Sequence, residues 1–323
     1  GVQTCALPIC DGRPVLQTGG SSSGVGTAAN FWAGNVGSDT GGSIISPSNA
    51  NMLVGIRPTI GRISRYGVIP ITAEHDTAGP MTKSVADAAI MLGAMEGASP
   101  DPHDAATQTC TPPPNRDYTK FLNAAGLKGK RIGVPRAFYI DRVTLPGEST
   151  PRGGINAEQA KVMADAIAVL KAQGAVIVDP ADIPSFVAKN ADDNFPAWDF
   201  CSGAEHAKGK DQNCSVNFKY GMKRDYNAWL ATLGPSAPVK TLKEHIEWNR
   251  AHAAAGAIKY GQSRFEISDE MDLVADKARV EADDAKDRRL SRAQGIDGVL
   301  KAYQLDAFIT PGGSGAEIGR AHV

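Results

Sequence analysis

The chain has 323 residues, with 34 basic and 35 acidic side chains and a formal net charge of -1. Hydrophobic residues make up 42% and charged residues 21%, an ordinary globular balance, and a near-neutral chain lacks the basic footprint of a general nucleic-acid binder. No run of about 18 apolar residues occurs, so no segment is expected to span a membrane.

The two ends are set aside first. Gly1 to Ile9 and Glu317 to Val323 back-translate, with suitable codons, into the two orientations of one sequencing-library adapter. Residues 1–10 and 317–323 are therefore read as adapter-derived, with Cys10 at the seam, and such sequence is excluded before fold reasoning. On that reading the native stretch, 11–316, lacks both true termini, and the absence of a signal peptide carries no information. A length of about 300 residues suits one large domain or two smaller ones.

From Asp11 to about Gly97 the chain is rich in Gly, Ser, Thr and Ala. The spacing of Val85, Ala88, Ala89 and Leu92 predicts a helix over 84–95, with Ser84 as its N-cap. Pro100, Pro102 and Pro112 to Pro114 predict a linker. Gly129 to Pro135 reads as a strand, Ala157 to Gln173 as an amphipathic helix closed by Gly174, and Ala175 to Val178 as a second strand. That order predicts a βαβ unit and a largely covered sheet. Residues 184–294 read as a charged helical insertion carrying Trp198, Trp229 and Trp248. Its run Asp283, Asp284, Lys286, Asp287, Arg288 and Arg289 is expected to be a solvated helix face. Asp306 to Pro311 returns to strand character, which makes the chain α/β, with a core over 11–183 and 295–316. Of five cysteines, Cys110, Cys201 and Cys214 lie inside the native stretch, an odd number without CxxC spacing. Neither a zinc site nor a disulfide framework is expected, and a reducing, cytoplasmic compartment is favoured.

Two Ser/Gly segments carry chemistry, Thr18 to Gly24 and Gly37 to Ile44. Composition alone makes such stretches loops. Glycines, however, let a ligand approach the main chain, and consecutive N–H groups in such a turn converge on an anion. Ser43, directly after Gly41 and Gly42, would place a nucleophile beside those donors, as acyl transfer requires. A serine also needs a base, and none of His75, His103, His206, His245 and His252 lies in a nucleophile motif. Gly24-Val-Gly26-Thr-Ala-Ala29 also fits GxGxxG/A, which keeps a dinucleotide-binding module open as a rival.

These residues resemble the amidase-signature family. Gly19 to Gly24 matches its first serine motif, and Asp39 to Ile44, followed by Pro47, matches the second. Val54 to Thr59 with Gly61 to Pro70 is similar to the segment after the nucleophile, and Asp76 to Met81 with Ser84 to Asp87 to the next block. The resemblance implies a mixed central sheet covered by helices and a Ser–Ser–Lys triad. Ser43 would be the acyl-forming nucleophile, and Ser21 the bridging serine after a cis peptide at Gly20. Main-chain N–H groups of Thr40, Gly41, Gly42 and Ser43 would form the oxyanion hole, with Ser22 and Asp39 in support. A neutral lysine would take the proton of Ser43 through Ser21 and return it to the departing nitrogen. The implied substrate is a small amide, with no metal or organic cofactor, and the oligomeric state is open.

The sequence also departs from that pattern. The family lysine precedes the first serine motif by several dozen residues, whereas the first lysine here is Lys83, read as a surface residue. The fragment is therefore expected to be inactive. Ser21 and Ser43 lie 22 positions apart, two fewer than the family usually has, which would turn the connecting helix by roughly 200°. Ile45 stands where the family commonly has Arg. Two alternatives share the motifs: the amidase-like subunit of a tRNA-dependent amidotransferase, and a non-catalytic homologue. Ser21 to Ser23 and the Trp-rich insertion look more like a stand-alone amidase.

Overall fold

The computed structural model describes residues 20–312 except residue 22. In the serine-rich part α1 (Gly24–Ala28) leads to β1 (Gly34–Asp39), α2 (Ile45–Ala50), β2 (Val54–Gly55), β3 (Thr77–Thr82) and α3 (Val85–Met95). Strand β3 lies between β1 and β2, antiparallel to both, with Gly37 opposite Gly79. Two glycines meet there for steric reasons. A Cβ at Gly37 would come within 2.7 Å of Ser21 Oγ, and one at Gly79 would overlap the Ile56 carbonyl. The helix α3 starts as its spacing predicts: Ser84 Oγ accepts the Asp87 N–H at 3.1 Å, and Ala88, Ala89 and Leu92 are buried.

The βαβ unit is present. Strands β4 (Arg131–Gly133) and β5 (Val176–Val178) run parallel, with Ile132 opposite Ile177, joined through α4 (Ala157–Ala172). A capping box between Asn156 and Gln159 opens α4, and Gly174, at φ +88°, follows its end. Beyond it come α5 (Pro184–Val187), β6 (Asp199–Phe200), β7 (Cys214–Ser215), α6 (Asn217–Thr232), α7 (Leu242–Ala251), α8 (Ser263–Asp269) and α9 (Lys277–Arg288). A π-helical turn at Arg289–Ala293 joins α9 to α10 (Ile296–Tyr303), and β8 (Ala307–Phe308) returns parallel to β4. No described helix is long and apolar enough to cross a membrane.

Three expectations change. The described residues form no single mixed sheet but an antiparallel sheet β1-β3-β2, a parallel sheet β5-β4-β8 and a two-stranded ladder β6-β7. The strands of the parallel sheet are two or three residues long, and β1 and β5, at the sheet edges, have no second partner strand among the described residues.

Nor is the charged run of α9 wholly solvated. Asp283 and Asp287, one turn apart, face inward. The Asp287 carboxylate accepts from Trp198 Nε1, Ser215 Oγ and Asn217 Nδ2, each at 2.7 Å, and Asp283 accepts the Val216 N–H at 3.0 Å. Only the other face, with Asp284 and Arg288 paired at 2.8 Å, meets solvent as expected.

Finally, Cys201 and Cys214 are joined in a disulfide across β6 and β7, with Cα atoms 5.2 Å apart. Parity and local spacing could not reveal it, because an adjacent ladder rather than a motif brings the two sulfurs together. Disulfides belong to oxidising compartments, so the cysteines no longer argue for a reducing one.

Candidate active site

Ser43 lies in the turn between β1 and α2, one residue after Gly42, whose φ of +108° only glycine adopts readily. Asp39, at the end of β1 and 1% exposed, holds that turn from inside. Its carboxylate accepts the N–H groups of Gly42 at 2.5 Å, Ile44 at 2.7 Å and Ile45 at 3.4 Å. The two short bonds brace the turn ahead of α2, and only the longest reaches its first residue, Ile45.

The two serine motifs meet here. Ser21 N–H donates to the Ser43 carbonyl at 3.0 Å, and Gly20 lies against Ser43 so closely that a Cβ on it would overlap the Ser43 side chain. The Ser21 hydroxyl donates to the Ser38 carbonyl at 3.1 Å and accepts the Ser38 N–H at 3.2 Å, so here it is bound to β1 rather than to Ser43 Oγ. Among the described residues the cis peptide is Asp179–Pro180, and the bond joining Gly20 to Ser21 is trans. A non-proline cis bond persists only where its surroundings enforce it, and the residues just before Gly20 lie outside the described ones, as does Ser22.

Of the expected oxyanion donors, Gly42 is already committed to Asp39. The N–H groups of Thr40, Gly41 and Ser43 make no hydrogen bond among the described residues. Thr40 is anchored through its side chain, whose hydroxyl makes a short hydrogen bond to Asp76. The Asp76 carboxylate also accepts the N–H groups of Ile71 at 2.9 Å and Thr72 at 3.0 Å, and burial pushes its pKa up to about 6. Arg57 completes the support: Nε donates to Asp39 at 3.1 Å and Nη2 to the His75 carbonyl at 2.7 Å. Burial lowers the pKa of Arg57, with the nearby Asp39 charge opposing.

Arg57 and Asp76 fall in the two motif blocks after Ser43, yet the sequence assigned them no role. Their partners lie 18 and 36 positions away, beyond any local pattern. Lys83 is an exposed residue bonded to Asn30, as its surface reading expects, and Ile45 is 46% exposed beside Ser43. The dinucleotide alternative fails on topology. Its glycines open a five-residue helix followed by an antiparallel strand, not a parallel βαβ crossover.

A cleft of about 460 Å³ is lined by Arg57, His75, Phe195, Phe200, Arg288 and Arg292 among others. A second, of about 370 Å³, lies beside Arg62 and Glu96. Neither is lined by Ser21 or Ser43.

An amidase family profile matches residues 13–311. A probable amidase of Arabidopsis thaliana is 30% identical over 297 residues, which is 91% of this chain and 49% of that protein. A glutamyl-tRNA(Gln) amidotransferase subunit of Ruegeria sp. (strain TM1040) is 42% identical over 166 residues, 51% of this chain and 30% of that protein. The solved peptide amidase of Stenotrophomonas maltophilia superposes with a TM-score of 0.70 at 31% identity, covering 92% of this chain and 56% of that one. The chain thus spans about half the length of the probable amidase, and less of the amidotransferase protein. A profile match running through both serine motifs to β8, on a fold shared with a peptide amidase, shows that the chain belongs to the amidase-signature family.

Proposed function

We propose that the whole protein hydrolyses a carboxylic amide through a serine acyl-enzyme intermediate, with Ser43 as nucleophile. The observation that carries this is the packing of Gly20 and Ser21 against Ser43, in a turn that Asp39 braces from inside. Ser43 Oγ attacks the carbonyl carbon and loses its proton to a neutral lysine through the Ser21 hydroxyl, which must turn from the Ser38 carbonyl toward Ser43 Oγ for the relay. The oxyanion is met by the N–H groups of Thr40, Gly41 and Ser43, while Gly42 shapes the turn through Asp39. Collapse of the tetrahedral intermediate breaks the C–N bond, and the lysine proton goes to the departing nitrogen. Water then attacks the ester and restores Ser43. The scheme needs no metal or organic cofactor.

The first lysine of the 323-residue chain, Lys83, is exposed and bonded to Asn30, so it is not the base of this scheme and the chain by itself is read as inactive. Likeness to a peptide amidase favours peptide amides as substrates. The test is to read the gene upstream, express the uninterrupted protein and assay such amides. Turnover lost in Ser43→Ala supports the proposal, and an uninterrupted gene without the lysine of this scheme makes the protein a non-catalytic homologue. Turnover by the 323-residue chain, abolished in Ser43→Ala, overturns its inactivity.

A second reading, the amidase-like subunit of a tRNA-dependent amidotransferase, draws on the 42% identity over 166 residues. The similarity over 91% of the chain favours the stand-alone enzyme. Capture of the other amidotransferase proteins by the uninterrupted chain would reverse that preference.

A further inference from the structure

One carboxylate holds the nucleophile turn, and one guanidinium holds that carboxylate. Asp39 takes three N–H donors from the turn, and Arg57 Nε closes on Oδ1 of the same group. The other arm of Arg57 reaches the His75 carbonyl, next to the Asp76 that anchors Thr40. A single side chain therefore ties together both segments that frame Ser43. A buried carboxylate supported only by N–H groups would carry an uncompensated charge. The guanidinium supplies the opposite charge, and its planar fork fixes direction as well as distance.

We propose that Arg57 is a positioning residue. It orients the Asp39 carboxylate, and through it the Gly42 and Ile44 N–H groups, so that Ser43 and the open donors beside it keep one geometry. The catalytic meaning of this rests on Ser43 being the nucleophile, but the geometry itself is a property of the chain in hand and needs no turnover to be measured.

The experiment is hydrogen–deuterium exchange on the full 323-residue chain and its Arg57→Met, Arg57→Lys, Asp39→Asn and Asp39→Asn/Arg57→Met variants. In Arg57→Met, peptides covering 38–46 should exchange about tenfold faster, as expected when a charge-assisted bond to a local structure is lost. Peptides from α6 should not change. Arg57→Lys keeps the charge on Asp39 and should recover most of the protection. Asp39→Asn should loosen the same peptides, and adding Arg57→Met should change nothing further, because Arg57 acts through Asp39. Parental exchange at 38–46 in Arg57→Met, or acceleration spread evenly over every helix, overturns the proposal. If Arg57→Met unfolds altogether, the double variant decides. A refolded double variant supports the proposal, since removing the stranded charge relieves the penalty, and one no better folded overturns it. Failure of the amide assay refutes the amidase reading and leaves these exchange rates readable, so the two failures are distinct.

Discussion

At the scale of single residues, loop 74–76 sets three adjacent titratable groups in different environments. Glu74 is held down at about 2 by hydrogen bonds from Arg224 and Thr72, although burial opposes them. Burial pushes His75 down to about 4, and pushes Asp76 up to about 6 despite its hydrogen bond from Thr40. A group with a lower pKa in the folded state binds protons more readily unfolded. The contribution of His75 is therefore complete above its ordinary 6.5 and is lost as the pH falls through about 4. Asp76 works in the opposite sense: its contribution is complete below its ordinary 3.8 and is lost as the pH rises through about 6. His75→Phe keeps an aromatic ring against Phe200 and Phe218 and removes one titration. Relative to that variant, the parent should lose up to about 3 kcal/mol on going from pH 6.5 to pH 4. Urea unfolding of both proteins across that range measures the difference, and a constant gap would show that His75 does not titrate as its burial requires.

At the scale of elements, the two faces of α9 make a direct comparison. Asp287→Ala strands three donors inside the protein and should cost about 2–4 kcal/mol in chemical denaturation. Asp284→Ala, one face over, removes a surface pair with Arg288 and should cost less than about 1 kcal/mol. Equal losses would refute the inward assignment of Asp287. The β6-β7 ladder carries a second test. Cys201 and Cys214 close a loop of 13 positions, for which removing the cross-link should cost roughly 2–3 kcal/mol. Cys201→Ser/Cys214→Ser should be less stable than the parent by that amount in urea unfolding, and reductant should bring the parent to the same stability without moving the variant.

At the scale of the whole molecule, segment 184–294 shares apolar contacts with the residues before it. Phe138 and Tyr139, near the βαβ unit, lie in one cluster with Phe186, Phe195 and Leu290, from segment 184–294. The insertion is also fastened to loop 71–76: Asp225 accepts the Ala73 N–H at 2.7 Å, and Arg224 donates to Glu74 at 2.7 Å. One cooperative transition is expected, so tryptophan fluorescence, to which Trp198, Trp229 and Trp248 of segment 184–294 contribute alongside Trp32, should coincide with far-UV circular dichroism. Leu290→Ala, at a side chain 0% exposed, should destabilise that single transition by about 2–5 kcal/mol. Two separated transitions in the variant would show that the insertion unfolds by itself.

The sequence by itself determined what depends on neighbours in the chain: the capped helix from Ser84 and the βαβ unit around α4. Periodicity, caps and glycine positions act over a few residues, so they are visible in one dimension. Tertiary structure alone decided what depends on distant partners. Arg57 reaches Asp39 across 18 positions, Asp287 is buried by Ser215 from 72 positions away, and the Cys201–Cys214 pairing needs β6 and β7 side by side. A buried charge and a surface charge are spelled alike in sequence, and only the donors that fold around it separate the two.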